Sequence, residues 1–135
     1  MAPPVVEPGA SERGEPAVRT LAMPADTNPS GDIFGGWVLA QMDLAAGIVA
    51  AQRAQGRVAT AALDGMSFHK PIYVGDLVSC YATVSRVGRT SVTVQVETWV
   101  NRGRTGEQVK VTEGRFTLVA IDEEGRPRPL PPATS

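Results

Sequence analysis

One carboxylate in this chain sits where a carboxylate is costly. Between Trp37 and Ala51 only Gln41 and Asp43 carry polar side chains. A helix that is apolar nearly all round is normally buried. An acid in its middle then needs a partner or a role, because an unpaired buried charge costs several kcal/mol. Asp is also a poor residue for a helix interior. Asp43 is therefore either a surface residue out of place or, the better reading, a functional one, a general base or a nucleophile. Helical spacing places Gly36, Leu39, Ala40, Ala46 and Gly47 on its face, four of them Gly or Ala. Small neighbours leave room for a substrate, or for close packing against another element.

The start of the same helix offers a second chemistry. Its first amides lack intrahelical partners and lie at the positive end of the helix dipole. Gly35 and Gly36 carry no side chains to block approach to them. Such an end can bind an anion or polarise a carbonyl. A polar loop, Asp26 to Asp32, leads into it.

These groups must be held by a single domain. The chain has 135 residues, room for one core, and a net charge of −1, which implies no strong attraction to nucleic acid. One Cys, Cys80, excludes an intrachain disulfide. With a single His as well, a His/Cys metal site is not expected. No apolar run approaches the ~20 residues of a membrane span, and the N-terminus lacks a basic-then-apolar leader pattern. The expectation is a cytoplasmic protein.

Residues 1–16 are rich in Pro, Gly and Glu and read as a flexible tail; residues 125–135 read as a second one. Ala17 to Met23 is a first strand. The helix runs to about Gln55, with Gly56 as its cap. The period then changes to two. Val58 to Phe68 and Leu77 to Val87 are strands, and Gly88-Arg89 is a hairpin turn. Thr90 to Asn101 alternates most regularly, with Val92, Val94, Val96 and Val100 on one face. The last strand, about Glu107 to Ile121, changes phase between Val111 and Phe116, which places a bulge at Gly114. Short connections favour antiparallel neighbours. One sheet covers only part of an all-apolar helix, so a second subunit is expected to complete the cover.

Three segments carry a family likeness: MPADTNPSGDIFGGWVLAQMDLAAG (Met23 to Gly47), RVATAALDGMSFHKPIYVGD (Arg57 to Asp76) and VGRTS (Val87 to Ser91). With the order DTN-x-x-G-x-IFGG-x-x-x-x-x-MD, the chain resembles the YciA-type acyl-coenzyme A thioesterases over roughly residues 17–124. The resemblance implies an α+β hotdog fold, a five-stranded antiparallel sheet wrapped around one long central helix. It implies hydrolysis of acyl-CoA to a free acid and CoA, and subunits paired into dimers and then into a hexamer. No cofactor is implied, since CoA is part of the substrate. The functional pair of acid and Asn maps onto Asp43 and Asn28, and the helix-start glycines onto Gly35 and Gly36. Mammalian relatives have His before the Gly pair, where this chain has Phe34.

Other residues offer lesser roles. Thr60 and Ser67 could present hydroxyls to a substrate. Lys70 and Arg89, inside the matched segments, could meet CoA phosphates. A Ser/His/Asp triad would need His69, the one His, which reads better as a partly exposed strand-end residue. A hotdog hydratase or dehydratase pairs a His with an acid, and no His precedes residue 69. A non-enzymatic acyl-CoA sensor would not need Asp43.

Overall fold

A computed structural model of the chain describes residues 13–133. The elements are β1 (Val18–Leu21), α1 (Gly35–Ala54), β2 (Val58–Phe68), β3 (Leu77–Val87), β4 (Ser91–Asn101) and β5 (Gln108–Ala120). The five strands form one antiparallel sheet in the order β1-β3-β4-β5-β2. The helix lies on one face of the sheet and touches all five strands.

The core is the seam between them. β4 sits mid-sheet and buries Val92, Val94, Val96, Thr98 and Val100 on one face, the period-two pattern of a half-buried strand. Against it α1 buries Val38, Met42, Ala45, Ala46, Ala50 and Ala54. The alanines let the helix approach the sheet closely. Cys80 is buried here against Thr98, and burial raises its thiol above the ordinary range. The one deeply buried acid at the sheet's end, Asp76, is ion-paired with Arg102 and accepts from the Tyr73 amide.

The phase change in β5 is real, but the bulge lies at Val111 rather than Gly114. Thr98 pairs with Thr112 and Trp99 with Lys110, so Val111 is the extra residue. Gly114 stays in register with Val96. Its lack of a side chain serves a different need: a Cβ there would lie 3.0 Å from Met66 Sδ and 3.5 Å from Leu63 Cδ1. The irregularity opposite Gly114 belongs to β2, between Asp64 and Ser67.

The helix ends one residue earlier than expected. Gln55, not Gly56, takes the left-handed conformation, with φ 53°. Gly56 leaves room for the Arg128 guanidinium, whose Nη2 lies 2.5 Å from where a Cβ would be. Arg128 donates to the Ala54 carbonyl at 2.9 Å, satisfying an acceptor the helix leaves open. The C-terminal segment, read as a tail, thus packs on the domain through residue 131. Leu130 N donates to Arg89 O, and Arg53 donates to Pro131 O. Of the N-terminal tail, residues 1–12 lie outside the described residues; Arg13 stacks on the Trp99 ring at 3.8 Å.

Candidate active site

Asp43 does not lie in the core. It points off the flank of α1 toward β2 and is exposed within one protomer. Within one protomer the carboxylate is therefore not covered, and the rest of its cover falls to the second subunit that the all-apolar helix leads one to expect. The sheet covers one side of the helix only, and on the other side Leu44 and Ile48 are 57% and 43% exposed. Asp43 is nevertheless held. The Thr60 hydroxyl, on β2, donates to its Oδ1 at 2.6 Å. That bond fixes one carboxylate oxygen, and Oδ2 has no partner among the described residues. The small-residue face around it is open: a Cβ at Gly36 or Gly47 would meet nothing within 4 Å.

The loop before the helix is built on Asn28. Its Oδ1 accepts from the amides of Ser30 and Asp32, at 2.9 and 3.1 Å, an Asx-type turn. Its own amide donates to Asp32 O at 2.7 Å, and Phe34 N donates to Asp26 O. The acceptor side of Asn28 is thus committed to the loop. Its Nδ2 has no partner among the described residues, which leaves a donor.

At the helix start the first amides divide. Those of Trp37 and Val38 both donate to Phe34 O, at 3.1 and 3.2 Å. Those of Gly35 and Gly36 have no acceptor among the described residues. Two adjacent N–H donors at the positive end of the helix can hold a carbonyl oxygen as it gains negative charge.

Next to these amides is a pocket of about 380 Å³ bounded by Ile33, Gly35, Val38, Phe68, Lys70 and Ile72. Phe68 belongs to it through its ring, 3.8 Å from where a Gly35 Cβ would be. The strand end beneath it is fastened: His69 N donates to Val111 O at 2.7 Å, and His69 Nε2 meets Glu113 Oε2 at 3.1 Å. Lys110 also pairs with Glu113 and Glu97. That lysine, and His69 after it, hold the Glu113 carboxyl below its ordinary range. His69 is a partly exposed strand-end residue, and among the described residues its ring meets Glu113 and no serine.

The structure brings together Asp43 with Thr60, and Gly35 with Lys70. It separates two other pairs. Gly36 and Asp43 are about 10 Å apart along the helix axis at 1.5 Å per residue. Lys70 follows the end of β2, while Arg89 lies in the β3–β4 turn beside its beginning, eleven residues and roughly 35 Å away. Ser67 is exposed beside Phe68. Sequence reasoning missed Phe68 and read Thr60 only as a hydroxyl for a substrate. Its pairing with an acid 17 residues earlier has no local signal.

The chain is similar to known proteins along most of its length. The model of the thioesterase superfamily matches residues 30–107. The acyl-CoA thioester hydrolase YciA of Salmonella typhimurium is 49% identical over 122 residues, 88% of this chain and 92% of that protein. A hexameric thioesterase of Yersinia pestis superposes with a TM-score of 0.85 at 52% identity, covering 89% of this chain and 98% of the other. An acyl-CoA hydrolase of Staphylococcus aureus, solved with butyryl-CoA and CoA, has a TM-score of 0.78 at 33% identity, covering 84% and 70%. One helix on a five-stranded antiparallel sheet, with a free pair of amides at the helix start, is thus the hotdog fold of these enzymes, and the chain belongs to the thioesterase superfamily, among the YciA-type acyl-CoA thioester hydrolases.

Proposed function

We propose that this protein hydrolyses acyl-CoA thioesters, with Asp43 as the general base and the Gly35 and Gly36 amides polarising the thioester carbonyl. The observation that carries this is the pair of unpartnered amides on the same helix as an acid oriented by Thr60. Asp43 Oδ2 takes a proton from water as the water oxygen bonds to the carbonyl carbon. The carbonyl oxygen becomes an oxyanion held by the two amides. Its collapse expels CoA as the thiolate, which takes the proton held by Asp43 and leaves as the thiol, returning Asp43 to its carboxylate form. The Asn28 Nδ2 donor completes the set, directed at the carbonyl or at the water. Thr60 acts through Asp43, as a positioning residue. No cofactor enters, since CoA is part of the substrate.

The 10 Å between Gly36 and Asp43 exceeds the ~3–3.5 Å separation of reacting atoms in a productive complex. A dimer resolves this. Two antiparallel helices related by a two-fold axis set the start of one beside the middle of the other, so Asp43 of the partner subunit serves the amides of the first. The exposed Leu44 and Ile48 and the open edge of β2 fit such a pairing. The Yersinia pestis relative is a hexamer, and a trimer of these dimers is the assembly proposed here. Lys70 and Arg89, distant in one chain, would then meet CoA phosphates from different subunits.

The test is steady-state hydrolysis of a panel of acyl-CoA esters, with a truncated thioester lacking the nucleotide as control. Turnover of acyl-CoA is expected. Substituting Lys70 or Arg89 should raise KM for the full ester only. Absence of hydrolysis across the panel would refute the function; equal KM effects on both substrates would remove the two cations.

A further inference from the structure

We infer that Phe68 sets the size of acyl group this enzyme accepts, by forming a wall of the pocket beside the helix start. The inference rests on the hydrolase reading above.

Three observations carry it. The first is position. The Phe68 ring lies against Gly35, one of the two residues whose amides are free. A thioester carbonyl held at that amide has two arms, and one of them must pass the ring. The second is the chemistry of the pocket. Ile33, Val38 and Ile72 form its floor at 8%, 3% and 4% exposure, and Thr112 is its one buried polar side chain. The pantetheine arm carries two amides, and burying them with one hydroxyl to share would leave polar groups unpaired. The acyl arm is a hydrocarbon and loses nothing there. CoA, polar and charged, leaves by the open side, with Lys70 at the rim.

The third is the contrast between the ring and its base. The backbone below Phe68 is pinned by the Thr112 pairing, by His69 N on Val111 O, and by the His69 contact with Glu113. The side chain itself is 55% exposed. A ring that projects from a fixed strand end can be exchanged for a smaller or larger one without moving the fold. It sets the pocket's length while the floor stays rigid. The groove of about 380 Å³ is what one protomer contributes, and the ring stands at its edge.

The experiment measures kcat/KM over an acyl-CoA series from two carbons upward, for the wild type, Phe68→Ala and Phe68→Trp. Phe68→Ala should raise the preference for longer over shorter chains by about tenfold or more, since one methylene's fit in a pocket is worth at least that much. Phe68→Trp should shift it the other way. Phe68→Leu, which keeps an apolar wall, should fall between the wild type and Phe68→Ala. If the variants hydrolyse acyl-CoA with the wild-type chain-length profile, Phe68 is not the wall and the inference fails. If all chain lengths fall by one common factor, the ring supports the amides and not the acyl group, and the inference fails equally. A wild type that hydrolyses no acyl-CoA refutes the hydrolase reading instead, before the variants are compared.

Discussion

β4 and β2 are each eleven residues long, and they differ in almost everything else. β4 lies mid-sheet and alternates buried with half-buried without a break. β2 is an edge strand, exposed at nine of its eleven positions, with two irregularities in its pairing to β5. β4 holds the fold and carries no candidate for chemistry. β2 adds little to the core, yet it supplies Thr60 to Asp43 and Phe68 to the pocket. The two strands divide stability from function. A strand buried on one face has its residues dictated by packing. An edge strand is free of that demand, and its open hydrogen-bonding groups and side chains are available to a partner or a ligand.

The sharpest break of this division is at Asp43 itself. Asp43→Asn keeps the size and the Thr60 contact but removes the base. Hydrolysis should fall by ~10²-fold or more while the melting temperature holds. Near-normal turnover would end the role of Asp43. The shared site adds a second reading. Asp43→Ala and Gly36→Pro proteins should each be inactive, and verified mixed dimers should regain up to one working site of two. Asn28→Asp separates the two halves of Asn28. It keeps an oxygen for the Ser30 and Asp32 amides, so the loop survives, but loses the Nδ2 donor. A fall in kcat of roughly 10²-fold is expected. An effect confined to KM would make Asn28 a binding residue.

The next pair of variants sets the strands directly against each other. Val94, fully buried between Val84 and Phe116, loses two methyl groups in Val94→Ala. The expected cost is roughly 2–3 kcal/mol in denaturant unfolding, transfer and cavity together, with kcat per folded molecule unchanged. Thr60→Val should behave the other way. It sits on an exposed edge, so stability should move by about 0.5 kcal/mol or less. The Asp43 carboxylate loses its 2.6 Å donor, and kcat should fall about tenfold, the value of a hydrogen bond to a charged group. If Thr60→Val destabilises and leaves kcat intact, β2 is structural after all.

The same division decides what could be read from the sequence. β4 was legible because its pattern is local: every second residue is apolar and each is buried. The helix was legible for the same reason, as was Asp43 as its odd residue. Legibility failed where an apolar residue has more than one use. An apolar helix face looks the same whether its own sheet or a second subunit covers it, so spacing alone does not say that Asp43 is exposed within one protomer. Gly114 looks like a bulge residue, yet it is bare to admit Met66 and Leu63. Gly56 looks like a left-handed cap, but the room it leaves is taken by Arg128, 72 residues later. Phe68 continues a strand in sequence and is a pocket wall in space. Each miss is a long-range contact that spacing cannot encode.

The smallest expected effect concerns the charges that join the two strands. Glu97 lies on β4, Glu113 and Lys110 on β5, and His69 just beyond β2. The chain of contacts runs from the stable strand to the functional one, ending beneath Phe68. Lys110 is raised above its ordinary range, mainly by its bond to Glu113, and Glu113 is lowered, mainly by Lys110 and then by His69. A carboxyl depressed in the folded state contributes stability above its unfolded value of 4.5, and loses it as pH falls through the lower folded value. Glu113→Gln should therefore be less stable than the wild type at neutral pH, and the difference should close as pH falls below about 4.5. These groups are partly exposed, so the difference is small and salt should shrink it. Thermal melts of both proteins from pH 3 to 7, at low and high salt, provide the measurement. A difference that persists unchanged at pH 3 would mean that the Glu113 side chain acts by packing and not by charge. The strand end under Phe68 would then be held by its Thr112 pairing and the Val111 carbonyl, without help from the Glu113 charge.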